Sequence, residues 1–208
     1  LKIPPFVTTL ATMVVLQGAT LAVASKGVLM LKDPVLRFVG ITRSFGLPNI
    51  IFATLIIILA AAVLMRMTRF GLRTYALGSD ASAAELAGIP VKRHTILVYG
   101  ASGIFVFLTS VVMISRVPVV TPNIGGTSLL LDAIAAAVLG GTSIFGGRGT
   151  VWGTVVGALI VSLLTTALRI FGTDPSSLDF YKGAIIMAAL LADTSMTYAK
   201  ARLLEPVR

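Results

Sequence analysis

Long apolar segments alternate with shorter polar ones along most of this chain. The second apolar segment, residues 48–65, contains the uninterrupted run IIFATLIIILAAAVLM. A helix needs about 20 predominantly apolar residues to cross the hydrocarbon core of a bilayer. The pattern therefore predicts membrane-spanning helices in preference to buried helices of a soluble protein. The segments predicted to span are residues 5–24, 48–65, 95–115, 129–145, 151–171 and 180–194.

The composition agrees with a bilayer as the surrounding solvent. Charged residues make up 12% of the chain and hydrophobic residues 56%, with a mean hydropathy of +0.98; a soluble domain has about 25% charged residues. The net charge of +9 comes from Lys and Arg scattered between apolar segments. These residues form no basic patch interleaved with aromatic residues, which nucleic-acid binding would require. We therefore predict an all-α, polytopic membrane protein in contact with lipid, with no nucleic-acid partner.

The Cys and His content excludes several kinds of site. The chain has no Cys and one His, His94, which excludes disulfides, thiolate chemistry and a His-cluster metal site. His94 is predicted to lie at the edge of a polar loop, and no serine-bearing elbow would complete a Ser-His-Asp site with it. An intramembrane hydrolase is therefore not expected, and we predict neither a metal nor a cofactor.

The polar loop of residues 66–94 separates the second and third predicted spans. Within it, Ser79 or Asp80 is placed to cap a short Ala-rich helix over residues 81–87, and Gly88 is placed to end that helix. Ile89 precedes a Pro, which disfavours continuation of the helix. Small side chains would let this helix enter a groove on another protein. A solvated loop with an incidental helix fits the residues equally well.

The distribution of Lys and Arg predicts on which side of the membrane this loop lies. If residues 66–94 are cytoplasmic and six segments cross, 10 of the 17 Lys and Arg residues lie on the cytoplasmic side. The bias has the sign expected from the positive-inside rule. The basic segment of residues 25–47, predicted as a loop with a short interfacial helix, lies outside and runs against this bias.

Two segments resemble a known family. They are YALGSDASAAELAGIPVKR (residues 75–93) and LDAIAAAVLGGTSIFGGRGTVWGTVVGALI (residues 131–160). Both are similar to ABC-importer permeases of the ribose/xylose/simple-sugar and branched-chain amino acid superfamily. The resemblance covers nearly the whole chain and corresponds to roughly the C-terminal two-thirds of such a permease. We therefore expect residues 1–208 to be the C-terminal part of a longer permease domain. The first few spans of the family would be missing from this sequence.

The resemblance implies a function and a set of partners. It implies a multi-pass permease of the bacterial inner membrane with about six spans, in which residues 66–94 form a cytoplasmic coupling loop. The helix between Asp80 and Gly88 would dock onto a cytoplasmic ABC ATPase subunit. An external solute-binding protein would deliver a small polar solute, preferably a monosaccharide, and a second permease copy would complete the path. The positions matching the docking residues are Gly78, Ala84, Glu85 and Gly88, with Asp80 at the start of the helix.

Glycines concentrate between the fourth and fifth apolar segments. A Walker A loop requires a Lys and a hydroxyl residue after its second Gly, whereas Gly146 is followed by Gly147 and Arg148. The spacing also fails the Rossmann fingerprint, so ATP hydrolysis would require a partner. Two interpretations stay open: a tight turn followed by close helix packing, or a direct role in lining or gating the pathway. The glycines concerned are Gly140, Gly141, Gly146, Gly147, Gly153 and Gly157.

Asp132 is the ionisable residue inside the fourth apolar segment. An ionisable group in a span is costly and is a functional candidate, although its place near the start of the segment favours helix capping or contact with interfacial water. It is also the one candidate ion site for the rival hypothesis, a secondary transporter fragment driven by an ion gradient. Arg169 and Lys182 are predicted to extend to the membrane surface.

Overall fold

The fold is mostly helical. The computed structural model describes residues 5–24, 29–30, 34–44, 46–117, 119–120, 125–143, 146–172, 177, 180–181, 183–184 and 187–188. The helices in these ranges are α1 (Pro5–Val23), α2 (Pro34–Gly40), α3 (Asn49–Met67), α4 (Arg69–Ser79), α5 (Ala81–Leu86), α6 (Val91–Arg116), α7 (Thr127–Leu139) and α8 (Val151–Ile170). This confirms the predicted helical fold class.

Four two-residue strands accompany the helices and were not predicted. Strand β1 (Leu29–Met30) pairs antiparallel with β4 (Val119–Val120). Strand β2 (Arg43–Ser44) pairs antiparallel with β3 (Leu47–Pro48). Each pair is too short to build a sheet with a core of its own, so these strands only tie neighbouring loops together.

Among the described residues, three helices are long and apolar enough, by length and composition, to cross a membrane. They are α3, α6 and α8, with mean hydropathies of 2.6, 2.1 and 2.0 over their best windows. Only 0%, 0% and 11% of these windows is buried inside the chain. Apolar surface left uncovered on this scale requires lipid or other protein around it. The chain is therefore a helical membrane protein.

The first predicted span, residues 5–24, is observed as α1 (Pro5–Val23, 19 residues), whereas the fourth predicted span is observed as a shorter helix. The fourth segment was predicted to continue to residue 145, but α7 ends at Leu139 and Gly141 has a φ of 79°. With 13 residues, α7 is about 20 Å long at 1.5 Å per residue, short of a hydrocarbon core of about 30 Å. Most of the sixth predicted segment, 180–194, lies outside the described residues.

The described residues divide into two compact units. The first comprises Leu1–Ile57 and Ser102–Ile124, and the second comprises Ile58–Ala101 and Gly125–Arg208. In the first unit, α2 approaches the end of α6 so closely that a Cβ on Gly40 would collide with the carbonyl of Ser115. The side chain of Asn49 donates a hydrogen bond to the carbonyl of Phe38 (3.0 Å). The segment 25–47 thus contains a short helix, α2, as predicted.

The second unit contains the helical hairpin of α7 and α8. Its buried centre is small, consisting of Ala135, Ala136 and Val161 with Leu131 and Leu139 packed against it. The two backbones are in direct contact, because a Cβ on Gly157 would collide with the carbonyl of Ala136. Glycine lets helices in a membrane approach to this distance.

Candidate functional site

The polar loop of residues 66–94 contains a second helix, α4, that the sequence analysis missed. Helix α4 begins after Thr68, whose hydroxyl accepts a hydrogen bond from the N–H of Gly71 (3.4 Å) and donates to the carbonyl of Leu64 (2.6 Å). Gly71 is buried, and any Cβ there would collide with the carbonyl of Met65. The sequence signal that could have found α4 is a Thr N-cap directly after a long apolar span.

Helix α5 has a well-formed start. The carboxylate of Asp80 accepts hydrogen bonds from the N–H groups of Ser82 (2.8 Å) and Ala83 (3.1 Å). These are two of the N–H groups that a helix start leaves without an intrahelical partner. Of the two residues predicted as cap, Asp80 is therefore the one used.

The end of α5 is equally well formed. Gly88, with a φ of 80°, donates its N–H to the carbonyl of Glu85 (2.9 Å), and the N–H of Ile89 reaches the carbonyl of Ala84 (3.0 Å). This pair of bonds is a Schellman motif, in which the left-handed position strongly favours Gly. The predicted helix over residues 81–87 is observed as Ala81–Leu86 with Ala87 as its C-cap.

His94 joins α4 to the start of α6, and its predicted place at a loop edge is wrong. Helix α6 begins at Val91, and the imidazole of His94 is buried at 4% exposure. Its Nε2 lies 3.0 Å from the hydroxyl of Thr74, and its ring centroid lies 5.2 Å from that of Phe70. Because Thr74 donates its own proton to the carbonyl of Phe70 (2.8 Å), we infer that Nε2–H is the donor to Thr74.

The glycine turn (residues 146–149) lies against the junction of α4 and α5. The hydroxyl of Tyr75 donates a hydrogen bond to the carbonyl of Gly149 (2.8 Å). A Cβ on Gly78 would lie 2.7 Å from the backbone N of Gly147, and one on Gly147 would lie 2.8 Å from the Cα of Ser79. Both contacts are between backbones, so a larger side chain at either glycine would force the two segments apart.

Four of the five predicted docking residues shape or hold this segment. Asp80 caps α5, Gly88 ends it, and Gly78 contacts the glycine turn. The side chain of Ala84 is buried within its own chain, at 4% exposure. Their role in docking stays a prediction, and the geometry gives each of them a local structural reason.

The exposed side of α5 carries two larger side chains. Glu85 is exposed, as a docking residue should be. The adjacent Leu86 is 91% exposed and was not predicted. The signal that could have found it is a single large aliphatic side chain in a short helix whose other residues are small or polar.

A cavity of about 410 Å³ lies between α7 and α8. Asp132 of α7 lines it, which contradicts the predicted helix cap: the N-cap of α7 is Gly126, and Asp132 is the sixth residue of the helix. A side chain so far along the helix cannot reach the free N–H groups of the first turn. Arg169, predicted to extend to the membrane surface, lines the same cavity. Lys182 lies outside the described residues.

The glycines predicted between the fourth and fifth apolar segments differ in their surroundings within the same hairpin. Gly140 faces the start of α8, where its Cβ would lie 2.5 Å from the carbonyl carbon of Gly153. Gly141 has open space around it, so its positive φ is the only visible requirement for glycine. None of the glycines in the second unit lines the cavity beside Asp132. The geometry therefore gives helix packing and turn formation a stronger basis than direct lining of that cavity.

A second cavity of about 470 Å³ lies beside Tyr75 and Gly149. Arg66, near the end of α3, and Trp152, at the start of α8, also line it. Trp is enriched at membrane–water interfaces, and Arg is common there at span ends. These residues indicate that the glycine turn is near a membrane surface.

Comparisons with known proteins support the resemblance over nearly the whole chain. The model of a family described as "Branched-chain amino acid transport system / permease component" matches residues 1–190. The chain is 36% identical over 194 residues to the ribose import permease protein of Bacillus subtilis, covering 92% of this chain and 60% of that protein. It is 34% identical over 196 residues to the ribose import permease protein of Escherichia coli strain K12, covering 92% and 61%.

A relative that is named for a different sugar has a similar sequence identity to this chain. The chain is 32% identical over 201 residues to the L-arabinose transport system permease protein of Escherichia coli strain K12, covering 96% of this chain and 61% of that protein. The chain thus spans about three-fifths of the length of these relatives. No solved structure matches the chain with comparable significance.

Proposed function

Because the chain belongs to the family of branched-chain amino acid transport system permease components, we propose that it is the membrane-spanning part of an ATP-driven solute importer. The family membership confirms the predicted relation to ABC-importer permeases and the place of the chain in the inner membrane. Relatives named for ribose and L-arabinose favour a monosaccharide as the solute. A solute-binding protein outside the membrane would deliver it.

Helix α5 is the proposed docking site for a cytoplasmic ATPase subunit. The observation that carries this proposal is the division of α5 into a fixed side and an exposed side. Ala84 is buried and both helix ends are closed by the chain's own hydrogen bonds, while Leu86 is 91% exposed. An isolated exposed Leu beside an exposed carboxylate suits a partner groove with an apolar pocket and a basic rim.

Movement of α5 would reach the helical hairpin through the glycine turn. The contact of Gly78 with Gly147 and the bond from Tyr75 to Gly149 join the α4–α5 junction directly to the segment that leads into α8. No flexible side chain lies between the two backbones at Gly78. A displacement of α5 would therefore be passed on as a rigid-body movement of α7 and α8.

We propose the remaining parts of the transporter from the family membership. Two permease copies, or a close pair, would enclose the path, and separate subunits would hydrolyse ATP, since the glycine-rich segment lacks the Lys and hydroxyl of a Walker A loop. Residues 66–94 would face the cytoplasm, in line with the Lys and Arg distribution and with Arg66 and Trp152 near the glycine turn.

The docking proposal is tested with Leu86→Asp in the assembled transporter. We expect the ATPase subunit to be lost on purification and ATP-dependent sugar uptake into vesicles to fall by about 30-fold or more, because a buried apolar anchor is worth about 2 kcal/mol or more. The matched control is Leu72→Asp, which changes a Leu of α4 that is 72% exposed and should leave both unchanged.

A second variant tests the acidic position. Glu85→Arg reverses the charge of an exposed residue and should weaken the complex in a salt-dependent way. An assembled, ATP-dependent Leu86→Asp transporter would overturn docking through α5. Uptake that follows a sodium or proton gradient without ATP would instead support the secondary transporter.

A further inference from the structure

One face of α8 is polar over the second half of the helix. Ser162, Thr165, Thr166 and Arg169 recur at spacings of three and four, which place them on one side of a helix, and all four line the cavity of about 410 Å³. Elsewhere along α8, large apolar side chains such as Leu163 are exposed. A guanidinium turned toward lipid would be costly, whereas the hydroxyls of Thr165 and Thr166 are satisfied by backbone carbonyls within α8. The Arg169 end of this face therefore favours contact with water or polar partners.

The opposite wall of the cavity comes from α7. Asp132 supplies a carboxylate, while Ala133 and Ala136 of α7, with Ala158 of α8 facing them, supply small side chains that leave the space open. The volume of about 410 Å³ falls in the range of roughly 300–1,000 Å³ found for small-molecule sites. The cavity is thus large enough for a solute of monosaccharide size.

The polar groups of the cavity match a solute with several hydroxyls. The hydroxyls of Thr165 and Thr166 donate to the carbonyls of Val161 and Ser162 (2.8 Å each), which leaves their oxygens as acceptors. The carboxylate of Asp132 accepts and the guanidinium of Arg169 donates. Because the two charges are opposite, the cavity favours a neutral solute that can both donate and accept hydrogen bonds.

The cavity lies away from the glycine turn along the hairpin. At 1.5 Å per residue, its α8 lining from Ala158 to Arg169 extends from about 10 Å to about 27 Å beyond the start of the helix. If the glycine turn is cytoplasmic, the cavity occupies the middle and outer part of the membrane. A solute delivered from outside would meet this region first.

We propose that this cavity is a solute-binding site of the translocation pathway, which takes a neutral polyhydroxylated solute such as a monosaccharide and holds it between Asp132 and Arg169. This inference rests on the proposed importer function and names the part of the chain that contacts the solute. Thr165 and Thr166 add acceptors for its hydroxyl groups.

The site is tested first by chemical labelling. Residues 1–208 contain no Cys, so Thr166→Cys adds a single reactive position to this part of the transporter; Cys residues elsewhere in the transporter are first replaced by Ser. We expect a charged, water-soluble methanethiosulfonate reagent to label it. Ribose or L-arabinose at ten times its dissociation constant should slow labelling by about tenfold, as expected for a solute that occupies the site.

The control variant is Thr109→Cys. Thr109 is exposed on α6, outside the cavity, and its hydroxyl makes the same kind of bond, to the carbonyl of Phe105 (2.8 Å). The sugar should not change its labelling rate. An unlabelled Thr166→Cys, or labelling that no pentose or hexose slows, would overturn the inference. If sodium ions without sugar slow the labelling of Thr166→Cys, the cavity is an ion site and not a solute site.

A transport measurement gives an independent test. Asp132→Asn and Arg169→Gln should each raise the KM for sugar uptake by about tenfold or more, since each replaces a charged hydrogen-bonding partner of the solute by a neutral one. Thr109→Val should leave the KM unchanged. If the wild-type transporter shows no ATP-dependent uptake, the proposed function fails. If it does, and both cavity variants keep the wild-type KM, the site inference alone fails.

Discussion

Two pairs of glycines in different helices carry the same sequence signal but have opposite surroundings. In α8, a Cβ on Gly153 would collide with the carbonyl of Gly140, and one on Gly157 with the carbonyl of Ala136. In α6, apart from the backbone of the helix itself, no atom of the described residues lies within 4 Å of a Cβ built on Gly100 or on Gly103. Small residues three or four apart therefore show that a helix allows close approach. They do not show whether the approaching helix belongs to the same part of the chain.

The difference arises from what each glycine pair has beside it. Helix α7 is the helix that precedes α8 in the chain, and the segment from α7 to its C-cap has its own small residues, Ala136 and Gly140, at the contact. The side of α6 at Gly100 and Gly103 has no such neighbour among the described residues. Four predictions use this contrast, ordered by expected effect.

The largest loss of stability is expected for Gly157→Ala. The new Cβ would lie 2.8 Å from the backbone N of Gly140 and closer still to the carbonyl of Ala136, and neither backbone atom can rotate away. We expect the free energy of unfolding to fall by about 1–3 kcal/mol, measured by thermal unfolding in detergent. Gly100→Ala is the matched control. Equal melting temperatures for the two variants would contradict the packed hairpin.

Gly78→Ala tests the contact at the glycine turn. Its Cβ would lie 2.7 Å from the N of Gly147, so α4 must move away from the turn. We expect the amount of sugar taken up per ATP hydrolysed to fall by roughly tenfold, within the usual range of coupling energies, because α5 no longer moves the hairpin. Gly103→Ala, in open surroundings, should retain the wild-type ratio. A Gly78→Ala transporter with that ratio would rule out transmission at this contact.

Tyr75→Phe removes one hydrogen bond at the same contact. The lost bond, from the Tyr75 hydroxyl to the Gly149 carbonyl (2.8 Å), should lower the free energy of unfolding by about 0.5–1.5 kcal/mol. The control is Tyr99→Phe, whose side chain in α6 is 58% exposed. If denaturant unfolding shows the same change for both variants, the bond does not contribute to stability.

The smallest effect is expected when Gly100 and Gly103 are both replaced by Ala. Both residues lie inside α6 with open space around them, so higher helix propensity should leave stability unchanged or raise it by up to about 1 kcal/mol per residue. The measurement is thermal unfolding of the assembled transporter. A loss of more than about 1 kcal/mol would show that another helix packs on this face and would remove the contrast with α8.

Local signals in the sequence predicted much of the fold. Helices α3, α6 and α8 follow from apolar length, and both ends of α5 follow from Asp80 and Gly88, whose preferences depend on only a few neighbouring backbone groups. The errors fall where a distant segment decides. His94 is buried because Phe70 and Thr74 of α4 lie against it, and α4 itself was not predicted.

The candidate sites were harder to predict than the helices. Asp132 and Arg169 were each identified as charges in or near a span, but their common cavity depends on how α7 and α8 are aligned. The exposed Leu86 was not predicted as a docking residue. It lies in the same six-residue helix as the buried Ala84, so the sequence does not separate the two. Exposure of one and burial of the other depend on the packing of α5, which no spacing in six residues specifies.

The sequence by itself determined that the long apolar helices need a lipid environment and where α5 begins and ends. Hydropathy and helix capping each depend on a single segment of the chain. Only the tertiary structure decided which segments meet. Tyr75 and Gly149 are separated by 74 positions along the chain. The backbones of Gly78 and Gly147 are in contact although these residues are similarly far apart in the sequence. A glycine permits close contact without specifying its partner, so the connection between the α4–α5 junction and the α7–α8 hairpin becomes visible only when the chain is folded.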